Sequence, residues 1–320
     1  MRLSRLLLAL VGLAAAGLVL AWVVLGSATI AKDTSFTIPS GASVASVADK
    51  LEAEGLITSA SGFVLQARIF GSDTPIQAGE FLLTPDMSQG DILAAFQSGD
   101  VVRRFVTIPE GMPSILVWER LMAEDLLTGE VAVPPEGSIL PDTYAFERGQ
   151  SRKSLVEQMQ AAMDKALAEE WGKRAPGIAV DTMRDALILA SIVEKETGKS
   201  EERRMVAGLY SNRVRTGMKL QADPTIIYPL TKGKPLGRRI KQSEISAVNG
   251  YNTYTRTGLP EGPITNPGRA SIAAVMNPEK TAALFMVADG TGGHWFADTL
   301  AQHNANVAKW YAIRRERGEM

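Results

Sequence analysis

One stretch, LILASIVEKETG at residues 187–198, constrains the fold more than any other part of the chain. Nearly every residue from Leu187 to Val193 is apolar or small, which predicts a helix that is buried almost all the way round. Asp181 suits the N-cap of this helix, and Gly198 stands where a glycine commonly follows a helix end. We therefore expect a hydrophobic core to form around this segment.

Two glutamates, Glu194 and Glu196, occupy the last turn of this helix. Glutamate is rarely buried unless it is paired or functional, and the negative end of the helix dipole raises a carboxyl pKa. A raised pKa suits a general acid. Residues two apart point to different sides of a helix, so only one of the two faces a given cleft. The alternative is that both form ion pairs with Lys195, Lys199 or Arg203.

Composition excludes several classes of protein. The chain has 320 residues, enough for two domains with their own cores, and its net charge of -1 gives no electrostatic reason to expect nucleic acid. The absence of cysteine excludes disulfides, a thiol nucleophile and a zinc–cysteine site. His294 and His303 lack metal-binding spacing, and no serine lies in a G-x-S-x-G motif. We therefore expect no metal, no other cofactor and no serine hydrolase site.

The N-terminus predicts a membrane anchor. Residues 1–5 are basic, and residues 6–26 carry no charge over a length that crosses a bilayer, for which about 20 residues suffice. The two arginines predict a cytoplasmic N-terminus. We expect a single-pass protein of the bacterial cytoplasmic (inner) membrane, with its bulk in the periplasm. The alternative is a signal peptide cleaved near residues 26–28, which would also export the bulk of the chain.

The remaining pattern predicts an α+β fold. Residues 1–33 comprise the cytoplasmic N-terminus, the transmembrane helix and a linker, and residues 34–100 form a small module that begins strand–helix–helix–strand. Residues 101–149 form a connecting α+β segment, and residues 150–320 form a mixed α+β domain. The later loops are long and rich in amide, hydroxyl and aromatic side chains, which favours a sugar-binding groove.

Several short motifs follow one another through the larger domain. They are ASIVEKET at 190–197, LQADPTIIY at 220–228, YNTY at 251–254, GLPEGPI at 258–264, NPG at 266–268, VADGTGGHWF at 287–296 and HN at 303–304, with LPDTY at 140–144 upstream. Together they closely resemble the signature of the bacterial endolytic murein transglycosylases, the YceG-like family. The resemblance implies that residues 34–100 are a LysM-like module and residues 150–320 the catalytic domain.

The resemblance also implies an activity and a site. The activity is cleavage of nascent peptidoglycan strands between N-acetylmuramic acid and N-acetylglucosamine, which leaves a 1,6-anhydromuramyl end and terminates elongation. Glu196 is implied as general acid and base, with Glu194 as the fallback or a supporting residue. The expected substrate contacts, each equally suited to hold its loop, are Gln221, Asp223, Asn252, Tyr254 and His294.

One carboxylate suffices for this reaction. An ordinary glycosidase needs two carboxylates that flank the bond, whereas here the sugar's own 6-hydroxyl attacks the anomeric carbon. Two other functions stay open: a water-using muramidase, with Asp223 or Glu194 as its second carboxylate, and a non-catalytic, peptidoglycan-binding membrane scaffold. The expected partners are peptidoglycan strands, the membrane and cell-wall synthases.

Overall fold

The structure, a computed structural model, describes residues 11–14, 17 and 27–319. The chain divides into two compact units. Unit one comprises Met1–Arg104 and Phe146–Arg148, and unit two comprises Phe105–Ala145 and Gly149–Met320. The segment predicted as a connector, residues 101–149, contributes to both units.

The predicted transmembrane helix is a point of correction. Residues 11–14 and 17 are helical, and the rest of the predicted span at 6–26 lies outside the described residues. Within the described part of the chain, no helix is both long enough and apolar enough to cross a membrane. A span requires about 20 helical residues, which the uncharged sequence suggested and the described helical residues do not supply. The fold is α+β, as predicted, without a demonstrated membrane-spanning element.

Unit one is built on an antiparallel pair of strands. β1 (Thr34–Ile38) pairs with β2 (Gly79–Leu83), and Phe36 lies opposite Phe81. The helices of residues 34–104 are α1 (Val44–Ala53), α2 (Ala60–Phe70) and α3 (Gln89–Ser98). The predicted strand–helix–helix–strand order is present. Phe96 of α3 completes an aromatic core, with its ring centroid 5.7 Å from that of Phe36 and 4.8 Å from that of Phe81.

Unit two is mainly helical. It contains most of β3 (Arg104–Thr107) and β4 (Thr143–Phe146), which pair with each other, and the antiparallel hairpin of β5 (Phe285–Ala288) and β6 (His294–Ala297). Its helices are α4 (Ser114–Met122), α5 (Arg152–Gly172), α6 (Met183–Glu196), α7 (Arg203–Arg215), α8 (Pro224–Thr231), α9 (Gln242–Ile245), α10 (Arg269–Met276) and α11 (Leu300–Glu316).

Helix α6 is the centre of unit two. It packs against α5, α7, α8 and α10, and its apolar side chains from Leu189 to Val193 are almost entirely buried. Thr182 rather than Asp181 is the N-cap, and its side chain accepts a hydrogen bond from the Asp185 N–H at 3.0 Å. Glu196 is the last helical residue. The buried helix predicted from the sequence therefore carries its final carboxylate to the edge of the core.

Gly208 permits α7 to pack closely against the segment that contains Glu279 and Thr281. A Cβ added to Gly208 would lie 2.5 Å from the Glu279 carbonyl oxygen and 2.9 Å from Thr281 Cγ2. We expect Gly208→Ala to lower the free energy of unfolding by about 1–3 kcal/mol, because one segment must shift. Urea denaturation measures this change. The control is Gly172→Ala at the end of α5, where nothing lies within 4 Å; equal stability of the two variants would contradict the packing argument.

Candidate active site

Glu196 lies partly buried at the end of α6. Side chains of α7 and of the segment just before α8 act on its carboxyl group. The pKa of Glu196 is raised to about 7, mainly by burial and secondly by the negative charge of Asp223. A hydrogen bond from the Tyr210 hydroxyl and the positive charge of Arg213 offset part of this rise. A carboxyl group with a pKa near neutrality exchanges a proton readily in both directions, which suits a general acid that later acts as a base.

Tyr210 and Arg213 reach Glu196 because they are three residues apart and share one face of α7. Both side chains are buried. The Arg213 guanidinium donates to the backbone carbonyls of Leu284 at 2.7 Å and Leu220 at 2.6 Å, so its position is fixed by the main chain. Arg213 acts on Glu196 through its charge, while Tyr210 holds the carboxyl group directly. Neither Tyr210 nor Arg213 was predicted from the sequence as a residue of the site.

Asp223 and Tyr254 also lie close enough to Glu196 to interact with it electrostatically, and they are hydrogen-bonded to each other. The Tyr254 hydroxyl donates to Asp223 Oδ1 at 2.5 Å. Burial and this hydrogen bond raise the pKa of Tyr254 above its usual range, so Tyr254 keeps its proton. Asp223 is exposed, immediately before α8. It thus places a second carboxylate within electrostatic reach of Glu196.

Buried hydroxyl groups connect the segment around Asp223 to the loop that carries Tyr254. Thr225 Oγ1 and Thr253 Oγ1 are 2.8 Å apart, and the Ala222 N–H donates to Thr253 Oγ1 at 3.1 Å. Gln221, an exposed residue, has a left-handed backbone with φ of 51°, and its N–H donates to the Thr253 carbonyl oxygen. A non-glycine residue in this region is strained, and such strain concentrates at functional sites.

Asn252 is fully buried beneath Tyr254. Its amide nitrogen donates to the carbonyl oxygens of Ile245 at 3.0 Å and Ala247 at 2.7 Å, and its Oδ1 accepts from the Tyr254 N–H at 3.0 Å. These bonds use both ends of the amide. Asn252 therefore holds the loop that carries Tyr254.

His294 is attached to the same end of α6 through Glu202. Its Nδ1 lies 2.8 Å from Glu202 Oε2, and its backbone N–H donates to Glu202 Oε1 at 2.9 Å. The Thr197 hydroxyl, next to Glu196, also donates to Glu202 Oε2 at 3.2 Å. This carboxylate links β6 to the residue that follows Glu196.

Glu194 points to a different side of α6 from Glu196, as their spacing predicts. Its side chain is 6% exposed, and its Oε2 accepts from the Gly268 N–H at 3.0 Å, at the N-terminus of α10. Arg203 lies 3.9 Å from the other oxygen of Glu194 and also pairs with Glu110 at 2.8 Å. A negative charge at a helix N-terminus is favourable. These contacts tie the Glu194 carboxylate to α10 and to Arg203, which indicates a structural role.

Sequence reasoning missed a second carboxyl group with a raised pKa. Glu136, in the loop after α4, accepts hydrogen bonds from the Ser114 N–H at 2.9 Å, the Ser114 hydroxyl at 3.2 Å and the Tyr228 hydroxyl. Burial raises its pKa to about 7 in spite of these bonds. Pro- and Gly-rich sequence around Glu136 gave no sign that the loop would be buried.

Glu136 is expected to make stability depend on pH. Its folded pKa of about 7 lies above the ordinary 4.5, so the folded state binds the proton more tightly. The resulting stability is present below pH 4.5 and is lost as the pH rises through 7. We expect the Tm of Glu136→Gln to fall less over this window than that of the wild type. Glu130→Gln, at an exposed position of the same loop, is the control and should keep the wild-type slope.

The described residues offer no group of three or more His, Asp or Glu side chains that could hold a metal ion. At the end of α6, unit two presents a carboxyl group with a raised pKa, Glu196, which is held by a tyrosine and has a second carboxylate nearby. This arrangement is of the kind found in enzymes that act on glycosidic bonds by proton transfer.

Comparisons with known proteins agree with this class. The model of the YceG-like family matches residues 36–309, so the chain belongs to the YceG-like family. A protein of Bacillus subtilis strain 168 named endolytic murein transglycosylase is 26% identical, over 90% of this chain and 89% of its own. A Streptococcus pneumoniae (strain D39) protein of the same name is 30% identical over 85% of this chain. This chain spans 57% of the length of that streptococcal relative.

A solved structure is also similar. The crystal structure of a putative yceG-like protein from Listeria monocytogenes matches with a TM-score of 0.52 and 28% sequence identity, over 86% of this chain and 99% of that one. The match extends over both units in sequence.

Proposed function

We propose that this chain is an endolytic peptidoglycan lytic transglycosylase that cuts nascent glycan strands between N-acetylmuramic acid and N-acetylglucosamine. The observation that carries the proposal is Glu196, a partly buried carboxyl group whose pKa is raised to about 7. Relatives at 26–30% identity that are named endolytic murein transglycosylases support it. The product is a 1,6-anhydromuramyl end that cannot be extended.

The reaction needs one proton carrier. Protonated Glu196 gives its proton to the glycosidic oxygen as the bond from that oxygen to the muramyl anomeric carbon breaks. The 6-hydroxyl oxygen of the same muramyl residue forms the new bond to that carbon. Its proton passes to the Glu196 carboxylate, which restores the starting state. No water is consumed, and the freed oxygen leaves as a hydroxyl group.

The neighbouring side chains support this cycle. Tyr210 orients the Glu196 carboxyl group, and the Asp223 carboxylate stabilises the positive charge that develops at the anomeric carbon. Gln221, Tyr254 and His294 contact the glycan, and Asn252 positions Tyr254. Glu194 supports the site through the N-terminus of α10.

A water-using muramidase is the second candidate. Asp223 favours it, because a carboxylate close enough to raise the pKa of Glu196 is also placed to hold a water molecule. Mass spectrometry of products made in oxygen-18 water separates the two reactions. We expect unlabelled products with anhydro ends; labelled, reducing muramic acid ends would contradict the proposal in favour of the muramidase.

The place of action and the partners follow from the substrate. Peptidoglycan is assembled outside the cytoplasmic membrane, so we place unit two there. In this proposal the βααβ part of unit one is a LysM-like module that binds the glycan, and cell-wall synthases supply the nascent strands.

A further inference from the structure

A cavity of about 480 Å³ lies beside the candidate active site in unit two. Its lining includes Met112, Pro113, Leu116, Lys195, Ile227 and Leu236, and we call it the lateral cavity. Pockets of about 300 to 1,000 Å³ are typical of ligand sites. The lining also includes Pro224, which directly follows Asp223, while Lys195 directly precedes Glu196. The lateral cavity thus adjoins both carboxylate-bearing segments of the site.

The walls of the lateral cavity are fixed by specific contacts. On one side the Gly111 N–H donates to the Asn266 carbonyl oxygen at 3.0 Å. On the other side Lys234 forms an ion pair with Glu119 of α4. Gly233, with φ of 85°, approaches Pro113 so closely that an added Cβ would lie 2.7 Å from the proline Cβ. A cavity held in this way is formed before any ligand binds, which reduces the entropy lost on binding.

The lateral cavity combines apolar walls with an available positive charge. Lys195 is exposed, and its ammonium group makes one long contact, 3.5 Å to the Gly111 carbonyl oxygen. The other charged groups of the lining are already paired, Glu110 with Arg203 and Lys234 with Glu119. Among the described residues, no carboxylate forms an ion pair with Lys195. The ligand that fits is therefore small, partly apolar and anionic.

We propose that the lateral cavity binds the peptide stem of the muramyl residue at the cleavage point. This inference rests on the proposed function. Muramic acid carries at O3 a lactyl group that continues into a short peptide with methyl side chains and free carboxylates. The methyl groups fill the apolar walls, and a stem carboxylate pairs with Lys195. The glycan backbone is mainly hydroxylated and lacks the methyl-bearing peptide, so it has no comparable use for this cavity.

The test compares two forms of one substrate. Uncrosslinked strands that carry stems, and the same strands after an amidase has removed the stems, are given to the full chain, and kcat/KM for anhydro-end formation is measured for each. We expect the stem-bearing strands to be preferred by about tenfold or more, the scale at which a filled pocket discriminates between ligands. Ile227→Glu, which places a like charge against the stem, and Lys195→Ala should bring this ratio towards one.

Leu230→Glu is the matched control for Ile227→Glu. Leu230 lies on the same helix, α8, at 50% exposure, and it is not part of the cavity lining. It should keep the wild-type ratio, and Lys195→Ala keeps the test decisive if Ile227→Glu is unstable. Equal cleavage of both substrates by the wild type would overturn the stem site and leave the proposed function intact. Failure to form anhydro ends from either substrate would overturn the proposed function and the stem site with it.

Discussion

Glu196→Gln is expected to lower kcat/KM for anhydro-end formation by about 100- to 10,000-fold, the usual contribution of general acid–base catalysis. Glutamine keeps the shape of the side chain and can still accept the hydrogen bond from Tyr210, but it has no proton to give to the glycosidic oxygen. Since burial disfavours the charged carboxylate in the wild type, a neutral amide should not reduce the Tm. Product chromatography and a thermal melt of the same sample measure both effects.

Glu194→Gln is the matched control, two residues away on the same helix. It removes the charge that faces the Gly268 N–H and Arg203, so we expect a lower Tm with anhydro-end formation retained. The reverse pattern, in which Glu194→Gln is inactive and Glu196→Gln is active, would show that the acid had been assigned to the wrong glutamate.

The pH dependence of the reaction is the second large expected effect. The acid works only while Glu196 is protonated, so kcat/KM should fall by about tenfold per pH unit above the pKa of about 7. Between pH 7 and pH 9 this amounts to about 100-fold. The profile of kcat/KM reports the free enzyme, to which the structure corresponds.

Asp223→Asn tests the cause of the raised pKa. Its negative charge raises the pKa of Glu196, so the variant should move the alkaline limb of the profile to lower pH. A change in the height of the profile alone would mean that Asp223 acts on the substrate and not on Glu196. An alkaline limb that moves upward would contradict the electrostatic argument.

The sequence was sufficient for the parts of the fold that depend on local pattern. Helix α6 was predicted from its apolar run. The spacing of Glu194 and Glu196 predicted that their side chains point to different sides of the helix. Ser43 and Ser88 are the N-caps of α1 and α3, and such caps depend only on local sequence, because the side chain satisfies a backbone N–H of its own helix. The predicted transmembrane helix is the exception: it rested on the hydropathy of residues 6–26, and no described helix is long and apolar enough to span a membrane.

The surroundings of Glu196 depend on contacts between distant parts of the chain and were not predictable in this way. Helix α8 (Pro224–Thr231) was not predicted; it contains Pro229, and proline is disfavoured in the interior of a helix. The contact between Tyr210 and Glu196 depends on how α7 packs against α6, which the local sequence does not indicate. Glu136 is buried because its loop packs against Ser114 and Tyr228, and no local sequence pattern predicts this packing.

The most direct test of the central claim is a titration of the glutamate side chains, labelled with carbon-13 at the carboxyl carbon, by NMR. The account predicts a carboxyl signal that titrates near pH 7 in the wild type and is absent from Glu196→Gln. Glu136 is the second signal expected in this range, and it should persist in the variant. If the signal lost in Glu196→Gln titrates near the ordinary 4.5 instead, Glu196 is not poised to give and take a proton at neutral pH, and the proposed mechanism is wrong.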